Sequence, residues 1–207
     1  MYTHFEDKHF SIQSLDSVQV IKETIERDWF YVFPQIFQPE TLKFLKDVSE
    51  SENYHEFDYP EAPDIQGREK ILNKKHAIKV SLLMKNPGLY AFISKLLPDE
   101  EISNFNCRIF KFTDQNYLLD WHDDGRIKNR KLSISVNLCD DKYNSELEGG
   151  EFLIREKTNH SSEKKIRNNV LGQAVVFRVL PDKLEHRVNP PVNGTVRTHL
   201  AGWFSEE

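Results

Sequence analysis

Lys131-Leu132-Ser133-Ile134-Ser135-Val136-Asn137-Leu138-Cys139 alternates apolar and polar side chains along its length. In an extended chain successive side chains point to opposite faces. Leu132, Ile134, Val136 and Leu138 therefore share one face, and Ser133, Ser135 and Asn137 share the other. This period of two identifies a strand. Short runs of β-branched and aromatic residues recur at 105–112, 117–122, 151–155, 170–179, 185–188 and 195–204, separated by turn-forming residues. No helix-length amphipathic stretch lies between them. The C-terminal half therefore reads as an antiparallel sandwich or barrel and not as a series of βαβ units. Residues 157–169 are charged and rich in Ser and Asn, and read as a loop between two strands.

Helical spacing is confined to the region upstream. Residues 17–28 place Val18, Ile21 and Ile25 on one helical face, with Asp16 or Ser17 as the N-cap. The run 29–33 is aromatic and β-branched and stops at Pro34, as a short strand would. Pro39 suits the first turn of a second helix, whose apolar stripe is Leu42, Leu45 and Val48. Asn86 and Pro87 cap and open a third helix. Leu89, Phe92, Ile93, Leu96 and Leu97 face inward from it, and Pro98 ends it. Between the last two helices, 52–75 is polar, contains Pro60, Pro63 and Gly67, and reads as a long loop with at most one short strand, of the kind that serves as a lid. Lys70, Lys74, Lys75 and His76 form a basic cluster that reads as a solvated face.

The expected organisation is a single domain over 1–207. Its fold class is mainly β with supporting N-terminal helices (α+β): helical support and loop over 1–104, and a β core over 105–204. A formal net charge of −5, with 29% charged and 38% hydrophobic residues, fits a soluble globular protein and gives no reason to expect a nucleic-acid partner. Glu6, Asp7, Glu23 and Glu26 interrupt the first thirty residues, which argues against a signal peptide. No run approaches the roughly 18 apolar residues of a membrane span. The two cysteines, Cys107 and Cys139, make no CxxC pair and read as buried or half-buried thiols of a cytoplasmic protein.

On this scaffold four stretches carry chemistry: Trp121-His122-Asp123-Asp124, Glu148-Gly149-Gly150-Glu151, His186, and Arg197 within Asn193-Gly194-Thr195-Val196-Arg197. On a strand His122 and Asp124 would project together while Asp123 points away. With His186 they supply two imidazoles and one carboxylate, the facial set of non-haem Fe(II) oxygenases, with coordination positions left open. Arg197 offers a planar, permanently charged fork suited to a carboxylate. If Arg197 faces the barrel interior, so do Thr195, His199, Ala201 and Trp203.

The order and spacing of these motifs resemble the Fe(II)/2-oxoglutarate-dependent dioxygenases, particularly their prolyl 4-hydroxylase-like branch. The resemblance covers about 106–204. It rests on His122-x-Asp124, the strand Leu132 to Leu138, Glu148-Gly149-Gly150-Glu151-Phe152, the strand Gly172 to Phe177, His186-Arg187-Val188, and Gly194-x-x-Arg197 running on to Gly202-Trp203-Phe204. It implies a double-stranded β-helix, or jelly roll, with the metal ligands near one open end. His122, Asp124 and His186 would be the catalytic Fe(II) ligands. The cosubstrate 2-oxoglutarate would chelate the metal through its 2-oxo group and C1 carboxylate, with its C5 carboxylate on Arg197. Trp203 and Phe152 would wall the pocket, and His199 would lie close to the Arg197–carboxylate pair.

Two positions depart from the family pattern. Asn137 stands where relatives often place a tyrosine. Phe112 stands where many have another, ten residues before the first ligand, which makes Tyr117 a candidate replacement. The implied reaction consumes O2, with ascorbate as a candidate reductant, and releases succinate and CO2. It would hydroxylate an unactivated C–H bond of a prolyl or other residue in a peptide or protein, or of a small metabolite. Related halogenases carry a small residue at the carboxylate position, so Asp124 favours hydroxylation. The competing reading is a non-enzymatic or Zn(II)-binding jelly roll of cupin type, and Arg197 argues against it.

Overall fold

The computed structural model describes residues 3–51, 53–59, 62–70, 74–113, 118–126, 129–139, 149–192 and 196–206. Its N-terminal part runs β1 (Thr3–Glu6), β2 (Ser11–Ser14), α1 (Val18–Asp28), β3 (Phe30–Phe33) and α2 (Pro39–Glu50), then β4 (Tyr54–Tyr59), β5 (Ala62–Lys70), α3 (Lys74–Met84) and α4 (Pro87–Leu96). The C-terminal part is built of strands: β6 (Asn104–Thr113), β7 (Leu118–Leu119), β8 (Arg130–Asn137), β9 (Phe152–Glu156), β10 (Asn159–Ile166), β11 (Ala174–Arg178), β12 (Leu184–Val188) and β13 (Val196–Ser205).

The helices form where their sequence signals stand. Ser17 accepts a hydrogen bond from Val20 N and caps α1, whose Ile21 and Ile25 are fully buried. Asn86 Oδ1 accepts from Leu89 N and caps α4, with Pro87 in its first turn. Leu89, Phe92, Ile93 and Leu96 of α4 join Ile21, Ile25 and Leu45 in one large core against the outer face of a sheet. Each such fully buried side chain stabilises the fold by about 1.5–3 kcal/mol.

That sheet has the order β3-β11-β8-β13-β6-β5-β4, with β7 pairing to β5; a smaller sheet has the order β10-β9-β12. All pairings are antiparallel, and the architecture is the double-stranded β-helix. Alternation along β8, β11 and β13 divides the interior. Leu132, Ile134, Val136, Ala174, Val176, Leu200 and Phe204 pack toward the helices. Val175 and Phe177 meet Phe152, Ile154, Leu184 and Val188 of the smaller sheet. The polar side of β8 is therefore covered as well, and Ser133, Ser135 and Asn137 are all buried.

The structure departs from the sequence reading in four places. Residues 54–59 and 62–70 pair as a hairpin that extends the large sheet through β6 and β7, where the composition suggested a loop. Backbone pairing to an existing edge holds these strands, so they need no apolar period of their own. Residues 159–166 form β10, although their charges suggested a loop. Only Ile166 of β10 is buried, and a polar outer strand is a common way of protecting a sheet edge. Residues 74–84 form a helix, α3, that the sequence reading did not give; Lys75 in its first turn is exposed, as a solvated face requires, while His76 packs edge-on against Phe44. The described residues of the run 117–122 supply a two-residue strand, β7, which ends at Leu119. Among the described residues no helix is long and apolar enough to cross a membrane.

Candidate metal and cosubstrate site

His122 and His186 face each other across an isolated antiparallel bridge. His122 N donates to His186 O at 3.0 Å, and His186 N donates to His122 O at 2.8 Å. This bridge, and not a continuous strand, sets the two rings 4.3 Å apart. Asp124 begins a 3-10 turn over Asp124–Arg126, so it does not share a strand face with His122 as simple alternation suggested. The turn nevertheless brings its carboxylate inward: one ligand atom from each of His122, Asp124 and His186 lies within 4.8 Å of the others. Asp124 Oδ2 is 3.7 Å from His186 Nε2. Asp123 points elsewhere, binding Lys157 Nζ at 2.7 Å and accepting Gly125 N–H at 2.9 Å.

The surroundings prepare these groups for a cation. His122 Nδ1 lies 2.7 Å from Asp120 O, which places the ring proton on Nδ1 and leaves the Nε2 lone pair available. Burial, with His122 nearby, lowers the pKa of His186 to about 3 against the pull of Asp124 and Asp123, so its imidazole is neutral. For Asp124 burial acts to raise the pKa, but His186, His122, the Ser133 hydroxyl and Arg130 outweigh it and keep the carboxylate ionised. Ser133 Oγ donates to Asp124 Oδ2 at 2.6 Å, and Arg130 Nη1 lies 3.6 Å from Asp124 Oδ1. Two imidazoles and one anion, convergent and largely buried, fit a divalent transition metal.

Phe152 stacks on the His186 ring at 5.6 Å and tilts against Phe177 at 4.7 Å. It backs a metal ligand from within the core of the smaller sheet. Trp121 lies under two guanidinium groups, Arg155 at 3.7 Å and Arg187 at 4.8 Å from its ring centroid, beside the bridge that carries the two histidines.

The inner face of β13 carries Arg197, His199, Ala201 and Trp203. Arg197 is 3% and His199 4% exposed, while Ala201 and Trp203 pack with Phe110 and Phe112. Gly149 and Gly150 explain the double glycine. Both have positive φ, at 88° and 74°. A Cβ on Gly149 would collide with the Pro190 carbonyl oxygen, and one on Gly150 would stand 3.2 Å from Arg197 Nη1. Gly150 thus lets the chain pass close to the guanidinium, and Gly149 lets it pass close to the Pro190 carbonyl. Trp203 also carries the Arg130 guanidinium 4.1 Å above its ring.

Asn137 is buried but turns back on its own strand end: Nδ2 donates to Cys139 O and Oδ1 accepts Cys139 N–H, both at 3.3 Å. Tyr117, Glu148 and Thr195 lie outside the described residues. Sequence reasoning overlooked Ser133 and Arg130. Ser133 shared the polar face with Asn137, and that alternation was the signal available; Arg130 closed a loop with no periodic signal. Cys107 is half-buried and Cys139 buried, with Thr198 N 2.9 Å from the Cys139 sulfur.

A double-stranded β-helix with two imidazoles and one carboxylate converging inside it defines a mononuclear non-haem metal protein of the facial-triad class. Residues 107–205 match the family model of the 2OG-Fe(II) oxygenase superfamily. The matched family and the solved structures that share the fold are 2-oxoglutarate-dependent oxygenases, and the His122–Asp124–His186 triad fits the Fe(II) that this chemistry uses. No curated protein sequence matches the chain.

Many solved structures share the fold, among them the following three. An oxidoreductase of the 2OG-Fe(II) oxygenase family from Burkholderia pseudomallei is 14% identical, with 93% of this chain and 92% of that chain covered and a TM-score of 0.67. A prolyl-4-hydroxylase from Pseudomonas putida is 16% identical, covering 92% and 100%, with a TM-score of 0.57. A prolyl hydroxylase from Trichoplax adhaerens, in complex with a hypoxia inducible factor oxygen degradation domain peptide fragment, is 14% identical, covering 91% and 88%, with a TM-score of 0.66.

Proposed function

We propose that the chain hydroxylates an unactivated C–H bond in an amino-acid residue of a peptide or protein, with a prolyl residue the first substrate to try and small metabolites the second. The observation that carries this is the convergence of His122, Asp124 and His186 inside the same barrel as the buried Arg197. The prolyl hydroxylases that share the fold, one of them solved with a peptide fragment, favour a peptide substrate over a metabolite.

His122, Asp124 and His186 would hold Fe(II), and Arg197 would hold the far carboxylate of 2-oxoglutarate. Bound there, the metal and cosubstrate supply the activation of O2 that an unreactive C–H bond requires. The protein orients and shields. His122 keeps its proton on Nδ1, His186 stays neutral, and Ser133 and Arg130 hold the Asp124 carboxylate in place. Phe110, Phe112, Ala201 and Trp203 form an apolar wall that keeps water from the inner face of β13. Asp124 occupies the position that halide would need, which favours hydroxylation over halogenation.

The test incubates the protein in air with Fe(II), 2-oxoglutarate, ascorbate and either prolyl peptides or free amino acids. Succinate is measured together with a mass gain of one oxygen atom in the substrate. Both should appear, and both should vanish in Asp124→Ala. Succinate no higher than in that variant with every substrate class would overturn the proposal.

A further inference from the structure

We infer that His199 is a second anchor for the distal carboxylate of the cosubstrate, acting as a neutral hydrogen-bond donor beside Arg197. The inference rests on the oxygenase reading above and adds a residue that sets which 2-oxo acid the site accepts.

His199 follows Arg197 by two residues on β13 and shares its face, and it is 4% exposed. Its ring packs against both Phe110 and Phe112, with centroids 5.7 and 4.9 Å away. Its Nδ1 is buried and has no hydrogen-bond partner among the described residues. Buried polar side chains in folded proteins are almost always satisfied, so an exception on the strand face that carries Arg197 points to a ligand atom.

The neighbours leave this work to His199. Phe112, the register partner of Arg197 on β6, has no hydroxyl. Asn137, the register partner of His199 on β8, commits both ends of its amide to Cys139. A carboxylate has about four lone-pair sites, and a guanidinium fork fills two of them. Charge also favours a neutral donor: Arg197 would balance one carboxylate, so an imidazolium would add a buried positive charge that no acid among the described residues pairs. Burial and the adjacent guanidinium both push the His199 pKa well below its ordinary value, consistent with an imidazole that donates one N–H.

The test is equilibrium binding by anaerobic calorimetry on the Mn(II)-loaded full-length protein. The ligands are 2-oxoglutarate and 2-oxopentanoate, which keeps the chelating end but lacks the distal carboxylate. His199→Leu should weaken 2-oxoglutarate by about ten- to a hundred-fold, the loss of one hydrogen bond to a charged group. The same change should leave 2-oxopentanoate within about three-fold. His199→Gln keeps an N–H donor and should recover most of the loss. His199→Phe repeats the deletion with a ring, should the leucine disturb the Phe110–Phe112 packing.

Equal weakening of both ligands, or of neither, overturns the role of His199 while leaving the oxygenase reading in place. If the unmodified protein binds 2-oxoglutarate no more tightly than 2-oxopentanoate, Arg197 is not a carboxylate anchor, and the oxygenase reading falls with the inference.

Discussion

Ser133 Oγ donates a 2.6 Å hydrogen bond to Asp124 Oδ2 and so fixes the only carboxylate of the triad from a neighbouring strand. Groups that orient metal ligands typically change metal affinity by about ten- to a hundred-fold when removed. Ser133→Ala should therefore weaken Fe(II) binding by about that factor, measured by competition with a chelator, while Ser133→Thr retains most of it. Unchanged affinity in Ser133→Ala would show that the 3-10 turn positions Asp124 unaided.

The adjacent acids should separate cleanly. Asp124→Asn removes the anionic ligand, and both metal binding and turnover should be lost. Asp123→Asn breaks the partly exposed ion pair to Lys157, costing at most about 1 kcal/mol of stability, and should leave metal content intact. Metal analysis of the two purified variants is the check.

Acid should destabilise the metal-free protein earlier than carboxylate titration alone would. His186 has a folded pKa of about 3, below its ordinary 6.5, and that of His199 is lowered too. Below pH 6.5 the unfolded chain takes up protons that the folded chain refuses, so stability is fully present above 6.5 and falls as pH drops toward 3. Each histidine contributes a slope of up to about 1.4 kcal/mol per pH unit. Urea midpoints of the apo protein should decline from pH 7 to pH 5; a flat profile would mean that neither ring is held neutral.

The two glycines should fail differently when changed to alanine. Gly149→Ala meets positive φ and a fixed carbonyl, so it should cost at least about 2 kcal/mol in denaturant melts. Gly150→Ala places its methyl against the Arg197 side chain, so its larger effect should be on 2-oxoglutarate affinity.

Much of the fold was legible because its period is simple. Alternation in 131–139 located β8, and helical spacing with Ser17, Pro39 and Asn86 located α1, α2 and α4. The hairpin β4–β5 and the edge strand β10 were not legible, since their order comes from pairing to existing strands and not from burial of a regular apolar face. In the site, residue types and their order in the sequence identify His122, Asp124 and His186, but strand alternation does not account for their convergence. A bridge and a 3-10 turn do what strand alternation was expected to do. Ser133 and Arg130 escaped notice because nothing local ties them to Asp124; only the tertiary fold does.

The most direct test of the account is anaerobic titration of the Fe(II)-loaded protein with 2-oxoglutarate, followed by visible absorption. Chelation of Fe(II) at a site built from His122, Asp124 and His186 should produce a metal-to-ligand charge-transfer band that saturates with cosubstrate. Arg197→Ala should need far more 2-oxoglutarate to reach the same band while still binding iron. A protein that binds Fe(II) but shows no band at any concentration of 2-oxoglutarate would contradict the account.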